Sequence, residues 1–134
     1  MPTLDSVHPV LMVRDVSVAL RFYAALGFRE LFRDRADDPM YAGVARDAVE
    51  LHLQWHDGNE WGYPVDRPTY RFVVQDVDGL HDELSARAEV TDFTTPGATD
   101  WGTYEFHVRD PDGNGLQFYR DQARGTRDDR AGGR

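Results

Sequence analysis

The sequence predicts an α+β fold of two tandem β-α-β-β-β modules, and three observations carry that expectation. The first is the stretch Trp101–Arg120. Tyr104, Phe106 and Val108 alternate with Glu105, His107 and Arg109, the period of a strand with two different faces. Asp110-Pro111-Asp112-Gly113-Asn114 then supplies turn chemistry, and Leu116 and Phe118 alternate with Gln117 and Tyr119 on the way back. The second is a pair of segments with helical period: Val16, Ala19, Leu20 and Tyr23, then Val77, Leu80, His81 and Leu84. The third is repetition. Val13, Asp15 and Val16 match Val74, Asp76 and Val77 at an offset of 61, and Val49-Glu50-Leu51 matches Leu116-Gln117-Phe118 at 67.

Each element has a local cause. His8, Val10 and Met12 alternate with Pro9, Leu11 and Val13, giving a strand over 7–13. Asp15 caps the helix that follows and Gly27 ends it. Strands are expected over 28–33, 40–44 and 48–54, with a polar loop at 34–38 and a tight turn at Arg46-Asp47. Residues 55–67, WHDGNEWGYPVDR, have no clear period and read as a linker. The pattern restarts with a strand over 70–75, a helix capped by Asp76, a short strand over 89–93, a loop over 94–100 and the closing hairpin. This gives one domain over 1–120, with module one at 6–54, the linker at 55–67 and module two at 68–120. Residues 121–134 carry almost no large apolar group and are expected to be a disordered tail.

Composition narrows function. The net charge is -9, with 24 acidic against 15 basic residues, all of the latter Arg. A phosphate backbone calls for a basic surface, so nucleic acid is excluded as a partner. Acidity suits solubility or attraction of a cationic ligand. Without Cys, disulfides, thiolate metal sites and Cys nucleophiles are excluded. No apolar run reaches membrane-spanning length, and MPTLDSVHPV lacks the basic and apolar regions of a secretory signal, so a cytoplasmic location is expected with no membrane partner. No Ser-His-Asp constellation or phosphate-cradling Gly loop stands out.

The paired modules, each with "D-V" before its helix, together with "FYAALGF" and "DPDGNGLQ", resemble the vicinal oxygen chelate superfamily over residues 6–120. That superfamily includes glyoxalase I, fosfomycin-resistance proteins, extradiol dioxygenases and bleomycin-resistance proteins. The resemblance implies sheets that curve around a cavity. Its metal-dependent members place ligands on the first and last strand of each module, which carries over to His8, Glu50, Thr69 and Gln117. His8 and Glu50 are good ligands for a divalent ion, Thr69 is a poor one and Gln117 is neutral. Two good ligands do not usually hold a catalytic metal, so no cofactor is expected, with His8 and Glu50 as the residual metal candidates. His52 shares a face with Glu50, and His107 can face the cavity from its own strand. His56 and His81 are assigned no chemistry.

Within the superfamily, "LFRD" at Leu31–Asp34, "VEL" at Val49–Leu51 and Trp101 ahead of Asp110-Pro111-Asp112-Gly113 are similar to the bleomycin-resistance proteins. These sequester a cationic glycopeptide drug without a metal of their own, as domain-swapped homodimers with grooves at the subunit interface. The resemblance therefore implies a homodimer that binds a small cationic aromatic antibiotic and catalyses nothing. Phe32 and Trp101 carry over as groove aromatics and Trp61, in a linker longer than the family's, as a third. Tyr41, Glu50, His52 and Tyr119 are further wall candidates. Flat drug rings stack on Trp and Phe, and a cationic tail favours an acidic, aromatic-lined groove. The alternative is a metal-dependent glyoxalase-like lyase or isomerase, or a dioxygenase.

Overall fold

The computed structural model describes residues 2–60 and 67–122. The chain divides into two compact units, 1–65 and 66–134.

In the first unit, β1 (Val10–Val13), α1 (Val16–Ala25), β2 (Arg29–Arg33), β3 (Tyr41–Arg46) and β4 (Val49–Trp55) follow in order. The sheet order is β1-β4-β3-β2, with β1 parallel to β4 and the other pairs antiparallel. Pro9 lacks a backbone donor but its carbonyl accepts from the His52 N–H at 2.8 Å, so pairing reaches one residue beyond the short β1. The Asp15 carboxylate accepts from the Val18 N–H at 3.0 Å and starts α1. Gly27, at φ +88°, lets the chain leave the helix. All four predicted face residues of α1, Val16, Ala19, Leu20 and Tyr23, are buried, as are Leu11, Val13, Ala42, Val44, Leu51 and Leu53 on the sheet. One face of the sheet is thus the core and the other is left for polar and aromatic side chains.

The second unit repeats the plan. β5 (Thr69–Val73), α2 (Val77–Ser85), β6 (Gly97–Ala98), β7 (Thr103–Arg109) and β8 (Gly115–Asp121) give the sheet β5-β8-β7-β6. The Asp76 carboxylate caps α2 by accepting from the Gly79 N–H at 2.9 Å. The hairpin turn is held by Asp110, whose carboxylate accepts from the backbone N–H groups of Asp112 and Asn114 at 2.9 and 2.8 Å. Phe72, Phe106 and Phe118 stack on the helix side of this sheet.

Three expectations need correction. No strand forms over 89–93. The Arg87 and Val90 N–H groups bond back to Leu84 and Arg87, which commits that backbone to turns, and only Phe93 makes a single bridge to Val108. The outer strand is instead Gly97–Ala98, inside the expected loop, paired with Glu105 and Tyr104. Strand β8 also runs through Asp121, paired with Thr103, so the strand ends one residue later than expected; residues 123–134 lie outside the described ones.

The third correction concerns the repeat. Leu11 lies beside Leu53 and Phe72 beside Phe118, so with the first strands offset by 61 the last strands are offset by 65 (Leu53 to Phe118), not 67. A two-residue slip keeps every side chain on the same face, which is why hydrophobic matching alone cannot detect it. His8 is abreast of Glu50, but the counterpart of Glu50 is Gly115, and Gln117 stands beside Arg71 as the counterpart of His52.

Candidate functional site

On module one, the face away from α1 collects Phe32, Tyr41, Glu50 and His52, with His8 at its rim. Alternation along β3 and β4 puts Tyr41, Glu50 and His52 there, while Leu51 and Leu53 enter the core. Gly43 lies between Phe32 and His52 in the sheet. A Cβ at Gly43 would stand 2.3 Å from the Phe32 ring, so the missing side chain is what lets Phe32 lie down on the strand. The ring remains 42% exposed. It stacks on Tyr41 at 6.2 Å between centroids and 14° between planes, and meets His52 edge-on at 5.3 Å. Phe32 is therefore a surface aromatic and not a core one.

Polar contacts fix the imidazole beneath it. Glu50 lies 2.8 Å from His52 Nε2 and the Tyr41 hydroxyl 2.7 Å from His52 Nδ1. An ionised carboxylate only accepts, so His52 donates from Nε2, and in the neutral ring its Nδ1 accepts the proton of the Tyr41 hydroxyl. His8 Nε2 lies 3.5 Å from the other Glu50 oxygen and 3.2 Å from the Ser6 hydroxyl. One ligand atom each from His8, Glu50 and His52 lies within 4.8 Å of the others. This donor set fits a divalent ion better than the four carried-over positions do, because His52 joins the two residual candidates.

Module two carries a different network on its corresponding face. Glu105 is buried, with 3% of its side chain exposed, yet surrounded by donors. The Thr103 hydroxyl donates at 2.7 Å, His107 Nε2 at 2.7 Å, and Arg71 at 3.2 and 3.4 Å. Burial pushes the carboxyl up, but these hydrogen bonds and the Arg71 charge outweigh it and hold Glu105 down to about 2. Arg71 also donates to Gln117 at 2.7 Å and lies 4.0 Å above the Tyr119 ring.

Of the sequence-predicted site residues, the structure thus brings Phe32, Tyr41, Glu50 and His52 together on module one, with His8 beside them. Tyr119 lies under Arg71 on module two. Trp101 sits in the turn before β7, 58% exposed, and its side chain has no hydrogen-bond or ring partner among the described residues. Trp61 lies outside the described residues. Thr69 is abreast of Gly115 and is not part of the Arg71–Glu105 network. Arg71 and Glu105 were missed by sequence reasoning. The available signal was Glu-x-His on a strand, written twice as Glu50-Leu51-His52 and Glu105-Phe106-His107, since residues two apart share a face.

The glyoxalase/bleomycin resistance protein/dioxygenase superfamily model matches residues 6–118, most of the chain. The chain belongs to this superfamily. The bleomycin resistance determinant encoded on the transposon Tn5 is similar with a TM-score of 0.74 and 20% identity, over 90% of this chain and 100% of that one. A bleomycin-binding protein from bleomycin-producing Streptomyces verticillus, solved with copper(II)-bleomycin, has a TM-score of 0.72 and 28% identity, over 91% and 100%. Another bleomycin-binding protein complexed with bleomycin has 0.69 and 21%, over 89% and 100%. No curated protein matches this superfamily member by sequence. Among its described residues no helix is long and apolar enough to cross a membrane.

Proposed function

We propose that this protein binds and sequesters a small, cationic aromatic antibiotic of the bleomycin type, and so confers resistance without catalysis or a resident metal. In this reading it acts as a cytoplasmic homodimer. The observation that carries the proposal is the exposed Phe32–Tyr41 stack beside the Glu50 carboxylate. A strand aromatic left 42% exposed, held flat by a glycine beneath it, is a platform for another flat ring. Glu50 places negative charge next to that platform, which favours a cationic group on the same ligand. The exposed Trp101 offers a second aromatic surface of the kind that binding hot spots use. The 28% identical relative that was solved with copper(II)-bleomycin supports this ligand class. The test is expression in a bleomycin-sensitive bacterium. The wild-type protein is expected to raise the tolerated drug concentration and the Phe32→Ala, Trp101→Ala double variant to fail at equal abundance. Equal protection by the double variant would refute the proposal.

A second reading rests on the His8, Glu50 and His52 donor set. These residues would hold a divalent ion, which when bound supplies Lewis-acid chemistry of the kind the lyase, isomerase and dioxygenase members use. Here Tyr41 would orient His52 through its Nδ1. The neutral Thr69 and Gln117 and the side-chain-free Gly115 of module two favour the binding reading over this one.

A further inference from the structure

Trp101 is the most exposed Trp, Phe or Tyr side chain among the described residues. It stands at the tip of the turn that joins β6 to β7, where the Thr99 N–H donates to the Thr103 carbonyl at 2.8 Å and Gly102 takes φ +93°. A large ring at a loop tip adds nothing to the core, so its apolar surface gains only from something that covers it.

A candidate occupant begins beside it. Strand β8 runs antiparallel to β7 with Asp121 abreast of Thr103, and the Gln122 N–H donates to the Gly102 carbonyl at 3.0 Å. Residue 123 therefore follows directly on a residue bonded to the neighbour of Trp101. Two residues span at most about 7 Å, which starts Arg124 within reach of the indole. Segment 123–134, ARGTRDDRAGGR, holds four Arg and two Asp, whereas the 122 residues before it hold 11 Arg and 22 acidic groups. The segment is thus cationic, at +2, on a body of -11. Two exposed carboxylates, Asp100 and Asp121, flank the Trp101 turn.

The segment has no large apolar side chain, so Arg is what it can offer to a ring. The planar, weakly hydrated guanidinium stacks on aromatic faces, and Trp is the best of them. Module two already uses Arg in this way: Arg71 lies 4.0 Å above the Tyr119 ring and Arg120 lies 4.7 Å above Tyr104.

We propose that Trp101 is the docking surface for the protein's own arginine-rich segment 123–134, with Arg124 or Arg127 stacked on the indole and Asp100 and Asp121 supplying the countercharge. The covalent joint makes the contact intramolecular, so no association entropy opposes it. An exposed stack of this kind favours the docked chain by a factor of about two to five, which covers Trp101 most of the time. The consequence rests on the bleomycin-type reading: the segment is then a built-in competitor that a cationic aromatic ligand must displace.

The test begins without ligand, on the full-length protein labelled with ¹³C and ¹⁵N. Nuclear Overhauser contacts are expected between the Trp101 ring, assigned with Trp101→Phe, and the side chain of Arg124 or Arg127. The Arg124→Gln, Arg127→Gln double variant should move the Trp101 indole N–H resonance and leave those of Trp55 and Trp61 in place. Bleomycin titration follows. The double variant should bind about threefold tighter than wild type. In a Trp101→Ala background the same two substitutions should lose most of that gain, which separates stacking from the loss of two positive charges. Absence of any contact between these arginines and Trp101 would overturn the docking. Contact without tighter binding in the double variant, or an equal gain in both backgrounds, would overturn the competition. Failure of wild type and variants alike to bind bleomycin would refute the sequestration reading instead, and the Overhauser contacts alone would then decide the docking.

Discussion

Replacing Glu105 by Gln perturbs the most heavily hydrogen-bonded carboxylate of module two while conserving its volume. Glu105 accepts from Thr103, His107 and Arg71 and is almost wholly buried. Holding its carboxyl at about 2 instead of the ordinary 4.5 corresponds to about 3 kcal/mol of stability at neutral pH. Breaking a buried, paired charge typically costs about 3–5 kcal/mol, the same order. A glutamine oxygen still accepts, but its NH₂ must face a donor, so we expect a loss of about 2–4 kcal/mol near pH 7. The sign with pH follows from a folded-state value below the unfolded one. The contribution is complete above about 4.5 and drains away as pH falls toward about 2. Urea unfolding followed by far-UV circular dichroism measures both. The gap between wild type and Glu105→Gln should be full near pH 7 and shrink to under about 1 kcal/mol near pH 2.5. A gap below about 0.5 kcal/mol at neutral pH, or one unchanged on acidification, would refute the reasoning.

Other perturbations read other parts of the account. Trp101→Ala should weaken bleomycin binding at least about tenfold with the fold intact, checked by fluorescence titration and thermal melting. Gly43→Ala puts a Cβ into the Phe32 ring and should displace this exposed side chain; we expect about tenfold weaker bleomycin binding in the same titration. Tyr41→Phe removes the proton donated to His52 and should cost about 1 kcal/mol in urea unfolding. Gly27→Ala forces a side chain onto φ +88° and to within 2.8 Å of Arg46 Nη1, and should lower stability by about 1–2 kcal/mol in the same assay.

The parts of the fold that the sequence made legible are those written by local period. Val16, Ala19, Leu20 and Tyr23 announce α1, and Tyr104 to Tyr119 announce the hairpin, because alternation and turn chemistry act within a few residues. What depends on cross-strand placement was not legible. The two-residue difference between the 67 and 65 offsets preserves the hydrophobic pattern, so Glu50 aligned with Gln117 when its counterpart is Gly115. Gly97–Ala98 has no strand signal of its own and pairs only because β7 presents a free edge there. For the candidate site, the shared face of Tyr41, Glu50 and His52 follows from alternation. The seating of Phe32 on Gly43 needs the register of β2 against β3, which is irregular between Glu30 and Phe32. Arg71 and Glu105 are 34 residues apart and meet only through the sheet.

Calorimetric titration of the dialysed protein with bleomycin, with elemental analysis of the same sample, tests the central claim most directly. The account predicts tight, saturable binding at about one ligand per chain and no stoichiometric metal. Absence of binding, together with one equivalent of a divalent transition metal that is lost in His8→Ala or Glu50→Ala, would contradict it.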